Sequence, residues 1–191
     1  MRAVPPSRYV VFSSLAILGC LVDLVTKSWI FARLGPPGGR TEWLWEGVFG
    51  FQTNLNEGAL FGMGQGMSVV FAVLSILAAV GILVWLFVVG AARDWLLTIA
   101  LGCVTGGILG NLYDRLGIPG LTWPAGHPWH TAGDSVYAVR DWILVMIGKY
   151  PWPTFNIGDS LLVCGAGLLI WHAFSAERPD TSSKQPDDEA G

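Results

Sequence analysis

The chain has 191 residues, of which 52% are apolar and only 13% charged, with a mean hydropathy of +0.52; a soluble domain carries about 25% charged residues. This balance excludes a disordered chain, a coiled coil and an ordinary soluble enzyme. The net charge of −3 resides in the run 177–191, with five acids against two bases, and no basic cluster marks a nucleic-acid partner.

A bilayer core of about 30 Å takes roughly 20 apolar residues of helix. In chain order, four segments approach that length. The first covers about 9–26 and holds one charge, Asp23. It follows Arg2 and Arg8 and passes through Cys20, a pattern shared with cleaved lipoprotein signals. The apolar run continues past Cys20, however, and three further spans follow, so it reads as a retained helix. The second, about 68–90, is uncharged, as is the third, about 95–112. In the third, Gly102, Gly106 and Gly110 recur every four residues on one face, a stripe that lets neighbouring helices approach closely. The fourth, about 157–174, has Asp159 near its start.

Four spans put both termini on one side. Residues 91–94 are too short to do more than turn the chain, so the substantial connections, 31–67 and 113–156, share the opposite side. Basic residues do not orient the chain, with five on the terminal side and six on the other. In the first connection, 49–56 alternates with period two and predicts a half-buried strand, with a turn at Glu57-Gly58. Trp43 and Trp45 suit the headgroup zone, so a small β-rich platform on the membrane surface is expected there. Residues 1–176 read as a single membrane domain, and the polar tail 177–191 as disordered. Cys20, Cys103 and Cys164 lie in apolar runs and predict buried free thiols.

Ionisable groups inside a membrane cost about 2.5–3.5 kcal/mol each at mid-depth, so their placement is informative. Asp23 and Lys27 end the first span. Asn111, Asp114 and Arg115 end the third, Asn156 and Asp159 open the fourth, and Asp141 lies before it. Each has an ordinary explanation: an i,i+4 pair for Asp23 and Lys27, a solvated helix end for Asp114-Arg115, an ion pair with the flanking Arg140 for Asp141, a cap for Asn156, a helix N-terminal acid for Asp159. Together they come from separate segments and meet at one depth on one side, which predicts a shared polar site. Two aspartates can share one proton, the ionised one taking a proton from water while the other polarises a carbonyl. Other schemes fit less well. His127, His130 and Asp134 have metal-like spacing but sit in a Pro- and Gly-rich loop. Ser160 beside Asp159, or Ser28 beside Lys27, do not face each other on a helix.

These residues resemble the motifs of the lipoprotein signal peptidases (signal peptidase II), aspartic peptidases of the bacterial inner membrane. The stretches are DLVTK at 23–27, NEGALFG at 56–62, GGILGNLYDR at 106–115, VRDWI at 139–143 and FNIGDS at 155–160, in family order over roughly 9–174. The resemblance implies an all-α membrane protein with four transmembrane helices and a small β-rich extracytoplasmic platform between the first two. It implies Asp141 and Asp159 as the catalytic pair. Asn56, Gly58, Asn111, Asp114, Arg115 and Asn156 would bind substrate or support the pair, and Asp23 and Lys27 would be structural. The implied substrate is a prolipoprotein whose Cys already carries diacylglycerol, cleaved just before that Cys. No metal and no cofactor is expected. The protein would be a monomer in contact with membrane lipid, its termini cytoplasmic and its active site extracytoplasmic. Trp142 and Gly158 replace the family's usual Phe and Ala, and the connection from Arg115 to Asp141 is longer than usual. Its stretch 117–138 is dense in Pro and Gly (Gly117, Pro119, Gly120, Pro124, Gly126, Pro128) and carries Trp123 and Trp129. It is expected to pack over the Asp141–Asp159 site and help hold substrate. The competing class is a small proton-coupled transporter, which would need polar groups near the midplane and access from both faces.

Overall fold

The computed structural model describes residues 3–59 and 63–176. The tail 177–191 and the end of the 56–62 motif therefore lie outside the described residues. Among those described, four helices are long and apolar enough to span a membrane. A four-stranded antiparallel sheet, in order β1-β2-β3-β4, caps the bundle at one end.

Helix α1 (Pro6–Leu34) opens with Pro at its first position, where the missing N–H costs nothing. It closes at Gly35, whose φ of 82° turns the chain away. At 1.5 Å per residue its 29 residues reach roughly 43 Å, more than a bilayer core. The helix therefore continues past Thr26, and its last turns carry the buried Ile30 and Leu34 under the sheet against Trp142 and Ile143. Helix α2 (Ser68–Leu83) runs into a π-turn at Val84–Val88, where Leu86 is buried. Helix α3 (Trp95–Arg115) starts on Asp94, whose carboxylate accepts from the N–H groups of Leu96 and Leu97 and also meets His172 Nε2 at 2.8 Å. Helix α4 (Ile157–Ala176) is the last.

Helix α3 is the axis of the bundle. More than half of it is buried, whereas the other three present mostly apolar side chains outward, as lipid-facing helices do. Its glycines make this possible. A Cβ on Gly102 would lie 3.1 Å from Leu15 Cβ, and one on Gly106 would lie 3.2 Å from the Ala16 carbonyl, so α1 packs backbone to backbone there. Gly107 gives the same access to α4, since a Cβ would strike the Gly158 carbonyl and lie 2.9 Å from Leu162.

The sheet draws on both long connections. Strands β1 (Glu42–Trp45) and β2 (Phe49–Asn56) come from the first, while β3 (Val139–Ile147) and β4 (Tyr150–Pro151) come from the second. The sequence predicts only β2 as a strand, because β1 is short and β3 is buried along most of its length and lacks alternation. In β2 the predicted alternation is interrupted by a register shift between Phe51 and Asn54. Before it, Phe49 and Phe51 pack on the Trp142–Ile143 cluster; after it, Leu55 joins Trp123 and Asn56 faces Asp141. The three cysteines are free, but Cys164 is exposed and Cys20 and Cys103 only half-buried, which corrects the expectation of buried thiols. In a lipid-facing helix, exposure to the apolar phase satisfies a thiol as well as a protein core does.

Candidate active site

The end of the bundle beneath the sheet gathers the polar residues of every helix but α2. Asp141 is the third residue of β3, which pairs with β2 so that Asn54 lies opposite it. After β4 the chain doubles back along β3: the Phe155 carbonyl accepts from the N–H groups of Trp142 and Ile143, and the Phe155 N–H donates to Ile143 at 3.2 Å. That return places Asn156 beside Asp141 and starts α4 immediately afterwards.

Asn156 joins the two aspartates. Its Nδ2 donates to Asp141 Oδ1 at 2.6 Å, while its Oδ1 accepts from the Asp159 N–H at 2.9 Å. Its own N–H donates to Asp159 Oδ2 at 3.3 Å, a reciprocal arrangement typical of a helix N-terminus. Asn56 Nδ2 donates to the other Asp141 oxygen at 3.2 Å. Asn111 Nδ2 donates to Asp159 Oδ1 at 2.8 Å. Asp141 is 1% exposed, whereas Asp159 is half-buried and borders two cavities. Burial, and next the negative charge of Asp159, push the Asp141 carboxyl up to about 8 against the opposing hydrogen bonds and Lys27. Burial and the neighbouring negative charge thus favour the neutral form of Asp141.

A second, fully buried layer supports this one. Lys27 Nζ meets Asp23 at 2.6 Å and Asp114 at 3.2 Å, and donates to Asn111 Oδ1 at 2.8 Å. The Asp23 carboxylate also accepts from the Gly158 N–H at 2.8 Å, clamping the first turn of α4 to α1. Gly110 leaves room for that carboxylate, which a Cβ would strike. The i,i+4 pair predicted from the sequence is present, but it serves two other helices as well.

Asp114 was grouped with Arg115 by position. The structure pairs it instead with Arg140, whose Nε donates at 2.9 Å and whose backbone N–H donates at 3.0 Å. The sequence offers Arg140 only as an ion-pair partner of the adjacent Asp141, and its pairing with Asp114 corrects that. The available signal was strand alternation, since neighbours in β3 point to opposite faces and the residue beside Asp141 must face the other way. Arg115 reaches away from Asp114 to the Gly58 carbonyl at 2.8 Å and lies over the Phe71 ring. Asp134 accepts from the Thr131 N–H within its own loop. His130 stacks on Trp123, and His127 lies against the same ring at a tilt of 39°. Among the described residues, no group of three or more His, Cys, Asp or Glu is placed to hold a metal ion.

Two cavities open beside Asp159. One, of about 380 Å³, lies between the β4–α4 link and α4, against Trp152, Phe155, Val163 and Cys164. The other, of about 260 Å³, lies between α2, α3 and α4, against Phe71, Leu74, Ile108 and Leu162. The polar groups therefore face one end of the bundle, next to apolar space.

A family model described as signal peptidase (SPase) II matches residues 15–175. A lipoprotein signal peptidase of Rhodopirellula baltica is 48% identical over 176 residues, covering 90% of this chain and 75% of its own. One from Symbiobacterium thermophilum is 33% identical over 168 residues, covering 88% of this chain and 97% of its own. Among solved structures, one described as a bacterial membrane enzyme determined by the in meso method superposes with a TM-score of 0.66 at 26% identity, covering 93% of this chain and 92% of the other.

Proposed function

The chain belongs to the signal peptidase II family, and on that premise we propose that it cleaves prolipoproteins just before a Cys that already carries diacylglycerol, using water activated by Asp141 and Asp159. It is an aspartic endopeptidase and a multi-pass bacterial membrane protein, and it removes signal peptides from lipoproteins.

The observation that carries the proposal is the bridge through Asn156, whose Nδ2 donates to the Asp141 carboxylate and whose backbone N–H donates to the Asp159 carboxylate. Asp159, half-buried and open to both cavities, takes a proton from water as the water oxygen attacks the scissile carbonyl carbon. Asp141 donates its proton to the carbonyl oxygen. When the tetrahedral intermediate collapses, the C–N bond breaks, the proton on Asp159 passes to the departing amine of the Cys, and Asp141 regains its own. Asn56 and Asn156 hold Asp141, and Asn111, oriented by Lys27, holds Asp159. A diacylglyceryl-modified signal sequence has two apolar arms, the acyl chains and the peptide. Two apolar cavities on either side of Asp159 suit such a substrate.

Both termini would then lie in the cytoplasm and the site at the extracytoplasmic surface, with the protein acting as a monomer. The test is cleavage of a diacylglyceryl-modified lipobox peptide by purified protein in lipid. Asp141→Asn and Asp159→Asn should each lower the rate by about 10²–10⁴-fold while the protein still inserts and folds. Full activity in either variant would remove that residue from the mechanism.

A further inference from the structure

The long segment between α3 and β3 is folded around one indole. Trp123 is 5% exposed and packs with Val136, Ala138 and Leu55. Its N–H donates to the Asp134 carbonyl at 2.9 Å and its carbonyl accepts from the Gly133 N–H at 3.0 Å. The His130 ring lies flat on Trp123, with centroids 4.1 Å apart and 6° between planes, and His127 covers the same indole at 4.3 Å. This loop was expected to form a cover over the aspartates. None of its described residues lines either cavity at Asp159. Its Ile118, Pro119 and Leu121 instead face a separate cavity with Ser28 and Tyr113.

The loop reaches the site at one remove. His130 Nε2 lies 3.0 Å from Glu57 Oε1, outside hydrogen-bond geometry, and the two form an ion pair when the imidazole is protonated. Glu57 lies between Asn56, the donor to Asp141, and Gly58, whose carbonyl anchors Arg115. The turn has its own internal bonds, from the Gly58 N–H to Asn56 Oδ1 and from Asn56 Nδ2 to the Ala59 carbonyl, and Gln65 adds another to Asn56 Oδ1. Such short-range bonds tie the turn to itself and to its own continuation. Glu57 ties it to a separate part of the fold. Because stacking has already fixed the imidazole, the contact costs little further side-chain entropy.

We propose that His130 is a positioning residue for the reaction: held on Trp123, it fixes Glu57 and thereby the turn that aims Asn56 at Asp141. The proposal rests on the Asp141–Asp159 reading. Without the brace, Asp141 keeps its bond from Asn156 on one oxygen while its second donor wanders, and the carboxyl can rotate away from its working orientation. The loop therefore acts on the chemical step and not on substrate capture.

The test is steady-state cleavage of a diacylglyceryl-modified lipobox peptide by full-length protein in lipid, with thermal unfolding alongside. His130→Ala and Glu57→Gln should each lower kcat about 3- to 10-fold, the scale of coupling between contacting groups, with KM essentially unchanged. The double variant should be no worse than the poorer single one. In an Asn56→Ala background either change should have little further effect. His130→Arg, whose planar cation can stack on Trp123 and reach Glu57, should restore most of the rate. Glu57→Gln keeps the Trp123 core intact, so it decides the matter even if His130→Ala loosens the loop. The proposal is overturned if Glu57→Gln has the wild-type kcat, if the effects multiply with that of Asn56→Ala, or if KM moves instead of kcat. An active Asp141→Asn protein would instead overturn the dyad itself, whatever His130 does.

Discussion

At the scale of single residues, the two aspartates differ in surroundings, and the proposed mechanism gives them different roles. Asp141 has almost no solvent and sits within reach of a second negative charge, so its neutral form is favoured up to about pH 8. Asp159 faces the cavities and accepts from Asn111 and from the N–H of Asn156 at the start of α4. The sign of the pH dependence follows. Raising the pH through about 8 removes the proton that the proposed mechanism takes from Asp141, so on that proposal kcat should hold at neutral pH and fall along an alkaline limb near that value. A kcat profile measured in lipid checks this, and a flat line through that region would contradict it. Asn156 is the residue on which both acids depend, and its bonds use both ends of its amide.

Among elements, the decisive contact is that of α3 with α4, because it sets the height at which Asp159 enters the site. Gly107 lies against the Gly158 carbonyl, directly before Asp159. Gly107→Ala should therefore cost about 1–3 kcal/mol of stability by overpacking and displace the start of α4. A lowered unfolding temperature together with reduced cleavage is the expected result. Gly81, in α2, has nothing within 4 Å of where a Cβ would stand. Gly81→Ala should leave activity intact and gain up to about 1 kcal/mol from helix propensity. Equal behaviour of the two variants would mean that glycine spacing in α3 does not control the site.

For the molecule as a whole, the fold closes through one buried charge network. Lys27 on α1 meets Asp114 on α3, which takes Arg140 from β3, while Asp23 on α1 takes the Gly158 N–H of α4. The network balances two acids with two bases and joins three helices to the sheet. Lys27→Met would leave Asp23 and Asp114 with a single base between them. Removing one partner of a buried pair costs about 3–5 kcal/mol, so this variant should show a sharply lowered unfolding temperature and poor accumulation in the membrane. Adding Asp23→Asn should restore part of the loss by rebalancing charge. No recovery in the double variant would show that shape, and not charge, is what Lys27 supplies.

The sequence by itself determined the four spans, their alternation and the one-sided placement of polar residues, because hydropathy and helix length are local properties that a bilayer reads directly. It also carried the two aspartates and the glycine stripe, since short motifs hold their residues at fixed spacing. What it could not determine was pairing across the chain. That Asp114 meets Arg140 and not Arg115, that β3 completes the sheet begun by β2, and that His130 reaches Glu57 all depend on segments distant in sequence. Only the tertiary structure decided these. A buried strand has no alternation to betray its partner, and an ion pair has no period at all, so both are set by which surfaces the packed helices bring together.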